Sequence, residues 1–233
     1  MTPAPVILAW SGGKDSALAL QALRADPQFD PVGLLTTVTS DYDRISMHGV
    51  RRTLLIEQAA AVGLPLVEAT IPAGASNEAY EAAMTVALDD VRVRFPVVRH
   101  VAFGDLYLTD VRAYRERQLM GSGFDPLFPL WGLDTRALAE RFIDELFDAV
   151  IVCADTQQIA ASFSGRRYDR ELLRELPAHA DPCGENGEFH TFVADGPVFR
   201  SRVGYTIGDV VLRDGRFAYC DLHLVNGASA AHA

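Results

Sequence analysis

Lysine is almost missing from this chain of 233 residues: Lys14 stands alone, and every other basic position is arginine. Positive charge is scarce too. Lys and Arg total 21 against 31 Asp and Glu, a net charge of −10. Such a surface repels a phosphate backbone, so nucleic acid is not expected as a partner. The only adjacent arginine pairs, Arg51-Arg52 and Arg166-Arg167, read as solvated faces. Cysteine is sparse. Cys153, Cys183 and Cys220 lie far apart with no Cys-x-x-Cys pair, which argues against a disulfide framework, a structural zinc or an iron–sulfur site. No apolar stretch approaches the roughly 20 residues of a membrane span. The N-terminus lacks the basic start and cleavage site of a signal peptide, so a cytoplasmic location is expected. A homodimer is left open.

The lone lysine lies in Ser11-Gly12-Gly13-Lys14-Asp15-Ser16. Arginine is a planar fork and lysine a compact, mobile point charge, so the two differ at a phosphate. An apolar run, Val6 to Trp10, reads as a buried strand before the glycines, and Ala17 to Leu23 reads as a helix after them. A glycine turn at a helix N-terminus aims backbone N–H groups and the positive end of the helix dipole at an anion. Ser11 and Ser16 add hydroxyl donors. The pattern is not a Walker A loop, which has four residues between its glycines.

Strands and helices alternate along the first two thirds. Strand-like runs cover 32–39, 65–70, 97–103 and 149–154; helical runs cover 50–62, 77–95, 110–120 and 135–147. Ser76 and Asp134 are placed as N-caps. The alternation predicts an α/β fold, a parallel sheet with helices on both faces. Ligands in such folds lie beyond the C-terminal strand ends. There the loop at 11–16 falls, and also Gly104-Asp105. Near residue 162 the pattern gives way to a short charged helix, glycine turns and a hairpin with Asp214-Gly215 at its tip. The expected division is 1–160, then a smaller α+β unit over 161–226, then a frayed tail over 227–233.

The densest polar cluster is Asp181-Pro182-Cys183-Gly184-Glu185-Asn186-Gly187-Glu188-Phe189-His190-Thr191-Phe192. Gly184 and Gly187 let the backbone approach a ligand closely. Glu185 and Glu188 can accept protons, hold an ammonium or carry Mg²⁺. Cys183 is open between a packing and a catalytic role.

The loop resembles the PP-loop of the ATP pyrophosphatases, which cleave ATP between the α and β phosphates. With Met47-His48, Gly104-Asp105 plus Arg112 and Glu116, Pro129-Leu130-Trp131-Gly132, the 184–191 motif and Asp195-Gly196-Pro197, the chain resembles the diphthine–ammonia ligase family over residues 6–197. The resemblance implies a Rossmann-like (HUP-type) ATP domain and a smaller C-terminal domain carrying the Gly-Glu-x-Gly-Glu motif. It also implies ATP with Mg²⁺, ammonium, and a carboxylate carried on a protein.

For amide formation from a carboxylate, pyrophosphate must be stabilised as it leaves and ammonia must be available near the acyl adenylate. The backbone of Ser11, Gly12 and Gly13, with Lys14 and Ser16, is assigned to the first task. Asp15 orients Lys14 or a metal-bound water, or serves only the helix. Met47 and His48 border adenine, and Gly104-Asp105 reaches ribose or metal. Glu185 and Glu188 bind and deprotonate ammonium, and Cys183, Gly184, Asn186, Gly187, His190 and Thr191 contact substrate. Two other functions compete: a PP-loop enzyme acting on tRNA, and a nucleotide-binding sensor without chemistry. The acidic charge and missing Cys-x-x-Cys weigh against the first, and the carboxylate-rich second motif against the other.

Overall fold

A computed structural model describes residues 2–45 and 48–225. Five strands run parallel: β1 (Ala4–Ala9), β2 (Phe29–Thr39), β4 (Leu66–Ile71), β5 (His100–Ala102) and β6 (Asp125–Leu127). Their order is β4-β2-β1-β5-β6, and the two-residue β3 (Arg44–Ile45) pairs antiparallel with the end of β2. Helices α1 (Lys14–Ala25), α2 (Arg52–Val62), α3 (Asn77–Arg94) and α4 (Thr109–Leu119) connect the strands.

Strand β1 explains the layering. Val6, Ile7 and Leu8 are all fully buried, because a parallel strand is covered on both faces. Val6 and Leu8 join Leu18 and Leu20 of α1 and Leu54 and Leu55 of α2 in one core. Ile7 faces the other way, towards Leu88 and Val91 of α3 and Leu119 of α4. Helices therefore cover both faces, as the alternation predicts. No helix among the described residues is long and apolar enough to cross a membrane.

Helix α5 (Thr135–Asp144) leads into a second sheet, with α6 (Arg170–Glu175) on its path. The sheet contains β7 (Asp148–Asp155), β8 (Phe189–Asp195), β9 (Tyr205–Arg213) and β10 (Phe217–Leu224) in the order β8-β7-β10-β9, all antiparallel. Here the expectation needs correction. The run 149–154, read as part of the parallel sheet, is the core of β7 and belongs to the second. A continuous apolar run reports burial on both faces, not strand direction, and β7 is buried along its whole length as an interior strand. The change of sheet thus falls between Leu127 and Asp148, ahead of residue 160. The expected strand over 97–103 shortens to β5, and the expected tail lies outside the described residues.

The two expected caps form, Ser76 accepting from the Ala79 N–H and Asp134 from Ala137; Asp169, read as the start of a charged helix, is its N-cap and accepts from Leu172. Asp214 and Gly215 both adopt positive φ, 53° and 62°, and close the β9–β10 hairpin. Helices α1 and α2 share one core with the second sheet. Arg44 and Arg51 both grip Asp221 of β10, at 2.9 and 2.6 Å, which ties the sheets together at their edge.

Phe142 of α5 is fully buried, stacked 4.6 Å from Phe147 and edge-on to Tyr168 at 5.5 Å. Phe142→Ala should cost about 3–5 kcal/mol, read from the urea midpoint. A loss within error would show that this cluster collapses around the gap.

Candidate functional site

The parallel sheet changes direction of travel between β1 and β5. From β1 the chain moves to β2 and β4, then crosses to β5 and β6 on the other side. The crevice at such a switch point is where α/β sheets bind ligands. Ser11–Gly13 lies at the end of β1, and Gly104-Asp105 at the end of β5. The two touch. A Cβ on Gly104 would come within 3.0 Å of the Asp15 backbone and 3.2 Å of the Ser16 nitrogen. Only glycine lets the strand end approach the first turn of α1 so closely.

Gly12 takes a positive φ of 76° and Gly13 is the N-cap of α1, with no side-chain cap of its own. The capping group comes from β8, where Thr191 Oγ1 accepts the Lys14 N–H at 3.0 Å. The Val193 N–H donates to the Gly12 carbonyl at 2.9 Å. Gln58 of α2 closes the junction. Its Nε2 donates to the carbonyls of Gly12 and Val193, at 2.9 and 2.6 Å, and its Oε1 accepts from Trp10 Nε1 at 3.3 Å. The serine hydroxyls turn inward: Ser16 donates to the Gly13 carbonyl, and Ser11 accepts from the Gly13 N–H. The backbone N–H groups of Asp15 and Ser16 have no partner among the described residues. The expected anion cradle is therefore the helix end itself rather than the serine side chains.

Lys14 is not a free cation. It is 3% exposed, its Nζ bonds both Asp15 oxygens at 3.0 and 2.9 Å, and it also donates to the Cys183 carbonyl. Burial opposes its charge, but the Asp15 carboxylate outweighs this and holds the pKa above that of an ordinary lysine. Burial also pushes the Asp15 carboxyl up, against the pull of Lys14 and with the help of Asp181 and Asp105. Asp105 is raised by burial as well. Its nearest cation is Arg115 at 3.6 Å, and neither Asp105 Oδ2 nor Arg115 Nε finds a hydrogen bond among the described residues. Arg112 and Glu116 pair with each other at 2.8 Å instead of reaching Asp105, and the Arg112 guanidinium lies 4.7 Å from the ring centroids of both Phe128 and Trp131.

The second motif meets the loop directly through Cys183 and Thr191. Asp181 organises its turn, accepting from the Cys183 and Glu185 N–H groups and from the Thr135 hydroxyl. Gly184 and Gly187 adopt the left-handed φ values the turn needs, 69° and 80°. Glu185 Oε1 accepts the Leu106 and Tyr107 N–H groups at 2.7 and 3.3 Å, which binds the turn to the end of β5. Asn186 accepts from the Tyr107 hydroxyl at 3.1 Å. Burial, reinforced by Asp15, raises the Glu185 pKa against those two N–H donors and Lys14.

Glu188 departs from its expected role. It is 1% exposed, and its carboxylate accepts the Asp181 N–H, the Asn186 N–H and the Asn186 side-chain amide. It braces the turn and does not stand free for an ammonium. Cys183 resolves towards packing. Its thiol is buried, donates to the Thr135 carbonyl and is pushed by burial well above the usual thiol range. His48 and His190 lie together with ring centroids 4.6 Å apart. Met47 lies outside the described residues. Among the described residues no three carboxylates, imidazoles or thiols gather as a chelate.

Sequence reasoning did not assign a site role to Gln58, Asp181, Tyr107 or Arg115. For Gln58 the signal was present, an amide inside an otherwise apolar helical stripe. The others are recognisable only through contacts distant in sequence.

An α/β protein with an open helix N-terminus at the switch point of its parallel sheet is the class these features define. The chain belongs to the diphthamide synthase family. Residues 4–125 match the diphthamide synthase N-terminal domain, and residues 134–215 match the C-terminal domain. The chain is also similar to a diphthine–ammonia ligase of Danio rerio, 25% identical over 230 residues and covering 89% of each protein.

Burial of Cys153, Cys183 and Cys220 predicts that a maleimide leaves the native thiols unreacted near neutral pH and labels them on denaturation. Rapid labelling of Cys183 in the native protein would contradict its packing role.

Proposed function

We propose that this chain is an ATP-dependent carbon–nitrogen ligase that joins a carboxylate to ammonia. The observation that carries the proposal is the direct contact between the lysine loop and the Glu185 turn, through Lys14 to Cys183 and Lys14 to Thr191. One motif suits a polyphosphate and the other a cation, and the two share one site. The name of the Danio rerio relative supports the same reaction class, with diphthine as the carboxylate and ammonia as the nitrogen donor.

In the proposed reaction a carboxylate oxygen attacks the α-phosphorus of ATP. The bond from that phosphorus to the α–β bridging oxygen breaks, and pyrophosphate leaves. Ammonia then attacks the acyl carbon, the carbon–oxygen bond to AMP breaks, and AMP leaves with the amide formed. The Asp15 and Ser16 N–H groups, at the positive end of α1, receive phosphate oxygens. Lys14 engages them by exchanging its bonds to Asp15 and the Cys183 carbonyl, as a compact ammonium on a flexible stem can. Bound Mg²⁺ would supply charge neutralisation on the phosphates, with Asp15 and Asp105, the carboxylates nearest the loop, as the groups that would hold it.

Asp15 and Glu185 bear on Lys14, and Asp181 and Asp105 bear on Asp15, a gathering of negative charge that favours a small cation beside the nucleotide. Glu185 is our choice for holding ammonium and taking its proton. Burial makes it a stronger base than an exposed glutamate, and the Leu106 and Tyr107 N–H groups fix its position. Glu188 positions Glu185 by holding the turn. His190, Asn186 and the two glycines shape the space for the carboxylate.

The test is product analysis with ATP, ammonium and a carboxylate panel that includes diphthine on its carrier protein. AMP and pyrophosphate should appear only when both co-substrates are present; ADP as the product would contradict the proposal. Lys14→Ala should lower AMP formation by about 10²–10³-fold. Glu185→Gln should keep ATP binding and slow amide release, most severely at low pH, where neutral ammonia is scarce. Loss of ATP binding with normal turnover of bound ATP would make Glu185 a nucleotide ligand instead.

A further inference from the structure

His48 and His190 have no proton or phosphate task in the reaction so far, yet they lie against the loop. The His48 ring covers Gly13 so closely that a Cβ there would be 2.9 Å from Cε1. His190 belongs to β8, one residue before the Thr191 that caps α1. The two rings are tilted by 32° with centroids 4.6 Å apart. His48 Nδ1 lies 3.2 Å from the Thr191 carbonyl. A carbonyl only accepts, so Nδ1 carries the proton and Nε2 keeps a lone pair.

Each element packed around the pair is accounted for. Helix α1 presents Lys14, which bears on both rings. Strand β7 places Cys153 opposite His190, its thiol pushed up to about 11 by burial and so uncharged near neutrality. Strand β10 brings Tyr219 against Gly49, with its hydroxyl pKa raised by burial and likewise neutral. Burial lowers His48 to about 4, with Lys14 adding to this and the Thr191 carbonyl opposing it. Burial, then His48 and Lys14, place His190 well below the usual imidazole range. Two neutral imidazoles beside an anion-binding helix end lack only a counter-charge.

We propose that His48 and His190 are phosphate-contacting residues of the 11–16 loop, and that the pair takes up one proton when a polyphosphate seats there. The proposal rests on the reading of that loop as a nucleotide-phosphate site. One proton enters and not two, because a second charge would face the first across the stack and Lys14 beside it. The new N–H donates to a phosphate oxygen as Lys14 does, and Nδ1–H of His48 keeps its bond to Thr191. The sign follows from the direction of the change. Bound anion raises the imidazole pKa above its value in the free protein. The extra affinity is then fully present below the free value and is lost as pH rises through the bound value. Pyrophosphate would therefore be held more loosely as pH rises, which helps its release after the first half-reaction.

The test uses the full chain with ¹⁵N-labelled histidine and inorganic pyrophosphate as the probe, near pH 6. In the free protein both rings should give neutral nitrogen shifts. Saturating pyrophosphate should convert one ring of the pair to the imidazolium pattern. Pyrophosphate that binds and shifts the loop amides while both rings stay neutral overturns the proposal. If neither pyrophosphate nor ATP binds, the loop reading itself fails and takes this proposal with it. A variant adds an independent reading. His190→Asn should weaken pyrophosphate binding about tenfold near pH 6, equivalent to one pKa unit of linkage, and only slightly near pH 8. The ligand's own titration cancels in the ratio to wild type. An equal loss at both pH values would mean a steric role and would overturn the proton uptake.

Discussion

Strand β8 holds the glycine loop in three ways at once. Thr191 caps α1 through its hydroxyl, Val193 donates to the Gly12 carbonyl, and Gln58 bridges the Gly12 and Val193 carbonyls from below. The loop's shape is therefore set by the second sheet as much as by the first. A buried amide with both its donor and acceptor in use is costly to break, about 1–3 kcal/mol for each group left unpaired. Gly12 has no freedom to grow here, since a Cβ would come within 2.3 Å of Gln58 Oε1. The loop backbone and the Glu185 turn are fixed to each other by this seam, the fixed geometry that the two proposed half-reactions at one site would need.

The electrostatics around the seam oppose one another. Among the described residues Lys14 is the one buried cation, beside Asp15 and Glu185, with Asp105 and Asp181 bearing on Asp15. A set of this kind holds a net negative charge that a polyphosphate alone would worsen. It becomes favourable when cations accompany the nucleotide, whether Mg²⁺, ammonium or a proton on an imidazole. The same balance explains why the chain uses its one lysine here. The fork of an arginine would not fit beneath the Cys183 carbonyl and the Phe189 ring, 5.5 Å from Nζ.

Much of this could be read along the chain. The strand, glycine pair, lysine and helix appear as consecutive residue types, so the loop and the doubly covered parallel sheet follow from local pattern. The caps at Ser76 and Asp134 follow from local chemistry. What pattern does not carry is orientation. Strand β7 looks like any buried strand, and its antiparallel partners are set by chain segments 35 or more residues away. Glu185 and Glu188 look alike in sequence, but the left-handed glycine before each of them, Gly184 and Gly187, turns one carboxylate to the β5 end and the other into the turn. Lys14 reads as mobile until Cys183, 169 residues later, supplies its carbonyl. The family motifs mark the right segments, and contacts between distant segments decide what each residue does there.

The central claim is that the loop and β8 act as one unit. Residue-resolved hydrogen exchange on the intact chain tests it most directly, by following the amides of Lys14 and Val193, which bond across the seam to Thr191 and Gly12. The account predicts that both exchange at the same slow rate and that ATP slows both together. Fast exchange at Val193, or protection by ATP that stops at Lys14, would show two independent parts and contradict it.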